Sequence, residues 1–197
     1  MGQIMKITFA SSNPHKVEEI NLIARDYDIE FVLPEGDFDP VEDSDNFIGN
    51  ATCKVLEAVK SGKTELYLAD DSGLCVEALN GEPGIYSARY ETTPDKRIDK
   101  LLKNMENKTN RNAKFVCAMV VANKKGEIIF KTQGECTGSI MYERKGRNGF
   151  GYDPIFFVDK YQKGMAELSP CEKAKVSHRS VALNNVLNWL KNDYKQD

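Results

Sequence analysis

Apolar positions along the chain alternate between two rhythms, and the alternation predicts interleaved strands and helices. Residues 4–9 form a first strand-like run, and Val17, Ile20, Ala24 and Tyr27 follow at helical spacing. Asn13 is suited to cap that helix and Pro14 to open it. Residues 29–33 read as a second strand. Phe47, Ala51, Val55, Ala58 and Val59 then mark one face of a second helix that stops near Gly62. A third strand starts at Leu66, and residues 74–79 read as its bent or antiparallel continuation before the Asn80-Gly81 turn. Ile98, Leu101, Leu102 and Met105 predict a helix over 96–105, and residues 114–122 and 127–137 a hairpin across Lys124-Lys125-Gly126. A short strand over 155–158 precedes a final helix. That helix opens on Ser169-Pro170-Cys171-Glu172, a capping box, and carries Leu183, Val186, Leu187 and Leu190 as its core stripe. No repeat, low-complexity tract or linker interrupts the order, which predicts one mixed α/β domain over residues 1–197.

Composition narrows the class. A hydrophobic fraction of 41% with 29% charged residues is that of an ordinary globule, not a disordered chain. The net charge of −3 argues against a protein that coats nucleic acid. The five cysteines (53, 75, 117, 136 and 171) are scattered, with no C-x-x-C pair, which fits free thiols in a reducing compartment. Cys75 and Cys117 lie in apolar runs and read as core packing. With only His15 and His178 available, zinc is not expected. No apolar run nears the ~20 residues that span a bilayer, and the first residues lack a signal-peptide core or a myristoylation pattern. A cytoplasmic location without membrane contact is expected.

Chemistry concentrates in a few places. The apolar run Leu66-Tyr67-Leu68-Ala69 ends in Asp70-Asp71-Ser72-Gly73. Two carboxylates at the end of a core strand are either solvated in a surface turn or compensated by a cation, for which a hard divalent ion is well suited. Residues 35–45 are an acidic loop with six carboxylates in eleven residues. Ser11-Ser12-Asn13-Pro14-His15-Lys16 is a strand-to-helix junction, which is an anion site or simply a capped helix. Residues 144–154 make a basic, glycine-rich loop: Phe150 and Tyr152 could stack on a flat ring, or lie beneath a solvated hairpin. Lys173, Ser177, His178 and Arg179 form another basic group. In an acidic chain, such groups set against Asp70, Asp71 and Glu42 point to a metal-bridged polyphosphate. Gly62-Lys63-Thr64 only mimics the end of a P-loop, because Glu57 stands where that motif needs glycine.

In combination these motifs are specific. Ser12-Asn13-Pro14-His15-Lys16, Phe47-Ile48 with Asn50-Ala51 and Lys54, Asp70-Asp71-Ser72-Gly73, the 83–90 segment, Gly149-Phe150-Gly151-Tyr152-Asp153-Pro154 and Ser177-His178-Arg179 occur in this order. The set closely resembles the inosine triphosphate pyrophosphatase family, the non-standard purine NTP pyrophosphatases, over nearly the whole chain. The resemblance implies an elongated central sheet flanked by helices, with a nucleotide cleft between two lobes. It implies Mg²⁺-dependent hydrolysis of ITP, dITP and XTP to monophosphate and pyrophosphate, usually by a homodimer. It assigns Ser11, Ser12, Asn13, Pro14, His15 and Lys16 to the phosphates, and Glu42 and Asp71 to the metal. Asp71 is its catalytic base, with Asp70 and Lys54 beside it. Ser72, Phe150, Gly151, Tyr152, Asp153, Lys173, His178 and Arg179 are its remaining substrate contacts. Gly49 departs from the family's frequent glutamate, leaving one fewer carboxylate near the metal, and Asn148 from its frequent glycine. Two rivals stand beside this reading. One is a pyrimidine or modified-nucleotide pyrophosphatase of the septum-formation-inhibitor-like type, which carries arginines in its first loop where this chain has Asn13-Pro14-His15-Lys16. The other is a non-catalytic nucleotide sensor.

Overall fold

The structure is a computed structural model that describes residues 4–34 and 38–194. Met1, Gly2 and Gln3, and Glu35 and Asp37 of the predicted acidic loop, lie outside the described residues. The elements run β1 (Met5–Phe9), α1 (Pro14–Ala24), β2 (Ile29–Val32), α2 (Phe47–Val59), β3 (Leu66–Val76), α3 (Pro94–Asn104), β4 (Asn112–Asn123), β5 (Ile128–Ile140), β6 (Phe156–Val158), β7 (Lys163–Gly164), α4 (Pro170–Lys173) and α5 (His178–Asn192). Among the described residues the strands form one seven-stranded sheet in the order β2-β1-β3-β4-β5-β6-β7. β1 pairs parallel with β2 and β3, with Ile7 opposite Phe31 and Leu66, whereas β6 pairs antiparallel with β5 and β7. The sheet is mixed and the fold is α/β, as the interleaved periodicities predict.

Two compact units share the chain. The first holds residues up to Asp71, the stretch Cys117–Gly134 and everything from Arg179 onward; the second holds Ser72–Val116 and Glu135–His178. In the first unit, Ile7, Phe9, Leu66 and Leu68 pack with Ile20 of α1 and with Leu183, Val186 and Leu187 of α5. Ala51, Val55 and Ala58 of α2 pack with Tyr67, Ala69 and Val120. The second unit has its own core of Leu74, Val76, Ile98, Leu101, Phe115, Phe156 and Met165.

Several boundaries differ from the sequence reading, each for a local reason. β3 does not end at its acid pair but runs on to Val76, because Asp70 is paired with the Lys16 ammonium and Asp71 accepts a hydrogen bond from Asn50. Beyond it, residues Glu77–Leu79 form a 3₁₀ turn instead of more strand. α3 starts at Pro94, with the Thr93 side chain capping Lys96 N. The expected single final helix is two: α4 is capped by Ser169 and ends at Lys173, and α5 begins afresh at His178. Lys173 and Ser177 therefore do not share a helix face. All five cysteines are free thiols, with Cys117 buried and Cys75 half-buried. No helix among the described residues is long and apolar enough to cross a membrane.

The second half of β3 is clasped by the 3₁₀ turn Gly84–Arg89. Ser87 Oγ accepts from Leu74 N at 2.9 Å and donates to Gly84 O at 2.6 Å. A Cβ on Gly73 would stand 2.1 Å from Gly84 O, so this strand glycine exists for backbone approach. Gly73→Ala should therefore destabilise the protein by about 1–3 kcal/mol in urea unfolding, whereas Gly62→Ala, with nothing near its Cβ but a positive φ of 62°, should cost about 1 kcal/mol.

Candidate active site

In the first unit the site is built where β1 and β3 deliver the chain. β1 hands over to α1 through a tight junction: Ser11 Oγ accepts from Asn13 N at 3.2 Å, and Asn13 Oδ1 caps the helix by accepting from His15 N at 3.0 Å. Pro14 occupies the first helical turn, and Ser12, Pro14 and His15 are exposed. The junction thus keeps the positive end of the α1 dipole next to solvent-facing side chains.

Lys16, one turn into α1, donates to Asp70 Oδ1 at 2.9 Å. Asp70 is fully buried, and its other oxygen accepts from Arg179 Nε and Nη2 at 3.2 and 3.1 Å. Arg179 Nη1 reaches Glu19 Oε2. Burial pushes the Asp70 carboxyl up, but Lys16, Arg179 and Lys54 outweigh it and hold the group well below the usual carboxylate range. Burial pushes the Lys16 ammonium down, and the charges of Lys54 and Arg179 add to that, against the opposite pull of Asp70. The buried Cys117 thiol, 3.9 Å from Asp70 Oδ2, is driven well up by burial and by that carboxylate.

The neighbouring Asp71 is treated differently. Strand alternation sends it to the opposite face from Asp70, where Asn50 Nδ2 donates to its Oδ2 at 3.1 Å. Burial raises the Asp71 carboxyl, Glu42 adds to the rise, and Lys54, Lys16 and Asn50 counter it only in part. Lys54 donates to Glu42 Oε1 at 3.1 Å. Burial lowers the Lys54 ammonium, yet Asp70, Glu42 and Asp71 together raise it. Asn50 and Lys54 stand one helical turn apart on the buried face of α2, so one helix serves both carboxylates. Asn50 Oδ1 also accepts from Ser44 N at 3.0 Å, tying down the loop that carries Glu42. Gly49 makes room for this loop, since its Cβ would lie 1.8 Å from Ser44 Oγ.

Among the described residues no three His, Cys, Asp or Glu side chains gather to hold a metal by themselves. Glu42 and Asp71 remain as an oxygen pair whose mutual repulsion a cation would relieve. Such a pair suits Mg²⁺, which takes one or two carboxylates and completes its shell with water and substrate phosphate.

The second unit gathers the other predicted residues. Asp153 Oδ2 accepts from Phe150 N and from Lys173 Nζ, both at 2.8 Å. The Lys173 ammonium also lies 4.6 Å from the centroid of the Phe150 ring. Gly149 has φ of 76°, and a Cβ there would fall 2.1 Å from Asp153 Oδ2, so the loop closes on its own carboxylate. Tyr152 does not offer a stacking face. It is buried in the unit's core and donates to Ser87 O at 3.0 Å, and burial raises its phenol well above the ordinary value. Gly151 is half-buried with φ of 60°, and Ser72 follows Asp71 in β3, half-buried. Arg144 of the same loop pairs with Asp99 at 2.8 Å.

His178 and Arg179, adjacent in sequence, do different work. His178 lies in the second unit, its imidazole stacked on Phe115 at 4.9 Å. Arg179 lies in the first and commits all three guanidinium nitrogens to Glu19 and Asp70. Three contributors escaped the sequence reading as site residues. Asn50 was legible as a polar residue on an apolar helix face, and Glu19 as the i+3 neighbour of Lys16. Phe115 carried no local signal.

A mixed α/β fold with buried lysines and carboxylates clustered behind a capped helix start is the framework of a nucleotide-handling protein. The chain belongs to the Ham1 family, whose model matches residues 7–189. It is 40% identical over 190 residues to the dITP/XTP pyrophosphatase of Thermosynechococcus vestitus, covering 96% of this chain and 97% of that one. It is 43% identical over 193 residues to the dITP/XTP pyrophosphatase of Clostridium tetani, covering 94% and 96%. The Staphylococcus aureus Ham1 protein superposes with a TM-score of 0.83 at 39% identity, covering 96% of this chain and 100% of that one. A Coxiella burnetii HAM1 protein superposes with a TM-score of 0.82 at 36% identity, covering 95% and 98%.

Removing Arg179 would leave one Asp70 oxygen buried without the guanidinium that holds it. Arg179→Met is expected to cost about 3–5 kcal/mol in urea unfolding at neutral pH, and Asp70→Asn in the same chain to recover part of it. Because folding lowers the Asp70 pKa, its stabilisation is present above the ordinary value of 3.8 and is lost as pH falls below it. The stability gap between the native protein and Asp70→Asn should narrow in acid.

Proposed function

We propose that this chain hydrolyses non-standard purine nucleoside triphosphates (ITP, dITP and XTP) to the monophosphate and pyrophosphate with Mg²⁺, clearing them from the nucleotide pool. The observation that carries the proposal is the cluster of Lys16, Lys54 and Glu42 gathered around Asp70 and Asp71 of β3. Relatives at about 40% identity over nearly their full length, named dITP/XTP pyrophosphatases, support the same reading. The family resemblance also supports a cytoplasmic homodimer.

Phosphoryl chemistry asks for positioning and charge neutralisation more than for covalent help. Glu42 and Asp71 would hold Mg²⁺, which supplies charge neutralisation at the phosphates when bound. Lys16 and Lys54 bring ammonium groups to phosphate oxygens, and the amides of the 11–16 junction add neutral donors. Asp71 aligns and deprotonates the water that attacks the α-phosphorus as pyrophosphate leaves. Its carboxyl accepts from Asn50, whereas Lys16 and Arg179 clamp Asp70. Asp70, with both oxygens engaged, anchors Lys16 and Arg179 behind it.

Base choice belongs to the second unit's residues in this reading. Hypoxanthine and xanthine carry an acceptor oxygen at position 6, where adenine carries a donor amino group. A donor on His178 or on the backbone of the 149–153 loop pairs with the oxygen and is left unpaired by ATP. An unsatisfied buried donor costs about 1–3 kcal/mol, which is selectivity of about 5- to 150-fold. Phe150, held by Lys173 and Asp153, gives a stacking surface without discrimination.

Pyrophosphate release from ITP, XTP, dTTP, GTP and ATP tests the proposal. Rapid release from ITP and XTP alone, abolished by EDTA, is expected. Turnover of dTTP would instead favour the septum-formation-inhibitor-like activity, and ITP binding without release would make the chain a sensor. Asp71→Asn is expected to lower kcat for ITP by about 10²- to 10⁴-fold; near-native turnover would remove Asp71 as the base.

A further inference from the structure

We infer that Phe115 is a specificity-determining positioning residue, which sets the plane of the His178 imidazole and so the direction of the donor that reads the purine 6-oxygen. The inference rests on the proposed function and deepens it.

The rings of Phe115 and His178 lie 4.9 Å apart at 15°, a stacked pair. The last torsion of a histidine is broad and gives the ring no fixed plane of its own. An imidazole N–H points within that plane, so whatever holds the plane aims the hydrogen bond. His178 opens α5, which fixes its backbone beside β4's Phe115. Phe115 is a rigid support: it is buried in β4 and packs on the fully buried Phe156 at 4.6 Å. The same core includes Tyr152 of the glycine loop, so the imidazole and the loop bearing Phe150 stand on one floor. Leucine in place of Phe115 fills a similar apolar volume but offers no flat face.

The test compares kcat/KM for ITP and ATP in Phe115→Leu, Phe115→Tyr and His178→Asn, alongside proton NMR of the histidines. The chain has only His15 and His178, and His15 is exposed, so the two signals are separable. In the native protein the His178 ring protons should be displaced upfield by the Phe115 ring current. Phe115→Leu should abolish the displacement and lower the ITP/ATP ratio by about 2- to 12-fold, the range of an aromatic pair, through ITP alone. Phe115→Tyr should keep both. A native spectrum without the displacement overturns the inference, whether or not Phe115→Leu folds. So does a parallel fall for ITP and ATP, which is the mark of a merely structural residue. If His178→Asn collapses the ratio while folded Phe115→Leu leaves it intact, the inference fails and the base-reading role of His178 stands. If His178→Asn leaves the ratio unchanged, that role fails and takes the inference with it.

Discussion

A carboxylate placed in the middle of a core strand has to be neutralised, and the rest of the first unit is arranged around doing so. Asp70 has no exposure to water, so its charge is tolerable only because Lys16 and Arg179 sit on its two oxygens. Those cations come from the start of α1 and the start of α5, elements far apart in sequence. Glu19 then balances Arg179, and the helix carrying it is the one carrying Lys16. One buried charge thereby fixes two helix starts against β3. The flanking junction of residues 11–16 is held in place by the same contacts that keep Asp70 ionised.

Asp71 shows the opposite use of the same strand. It accepts a hydrogen bond from the Asn50 amide, and the Lys54 charge counters its burial only in part. Its carboxyl is raised where Asp70 is lowered, and two adjacent residues acquire different chemistry from opposite faces of one strand. Environment alone, not residue type, separates the two acids. The second unit repeats the first device on a smaller scale: buried Asp153 binds buried Lys173, and the glycine at 149 lets the loop amide of Phe150 join them.

The division between units also gives the candidate chemistry a division of labour. In the first unit Lys16 pairs with Asp70, Lys54 with Glu42, and Asn50 with Asp71. The aromatic and polar residues assigned to the base sit on a separate hydrophobic core in the second. The two groups of candidate residues thus rest on different hydrophobic cores.

Much of this was legible in the sequence, because local rules govern it. Alternating periodicities gave the order of elements, and Asn13-Pro14 and Ser169-Pro170-Cys171-Glu172 marked helix starts that the backbone adopts. The ordered motifs pointed to the family and to nearly every residue of the candidate site. What sequence could not decide was partnership across long separations. Asp70 and Arg179 are 109 positions apart, and nothing local announces that their charges meet. For that reason β3 looked as if it should stop at its acids, and Tyr152 stayed open between a stacking surface and a residue beneath a hairpin. Tertiary structure decided both, by supplying a distant counter-charge for Asp70 and a core for Tyr152 to sink into. Short-range propensity sets which elements form; the electrostatics of burial, which depends on what arrives from elsewhere in the chain, sets what their side chains do.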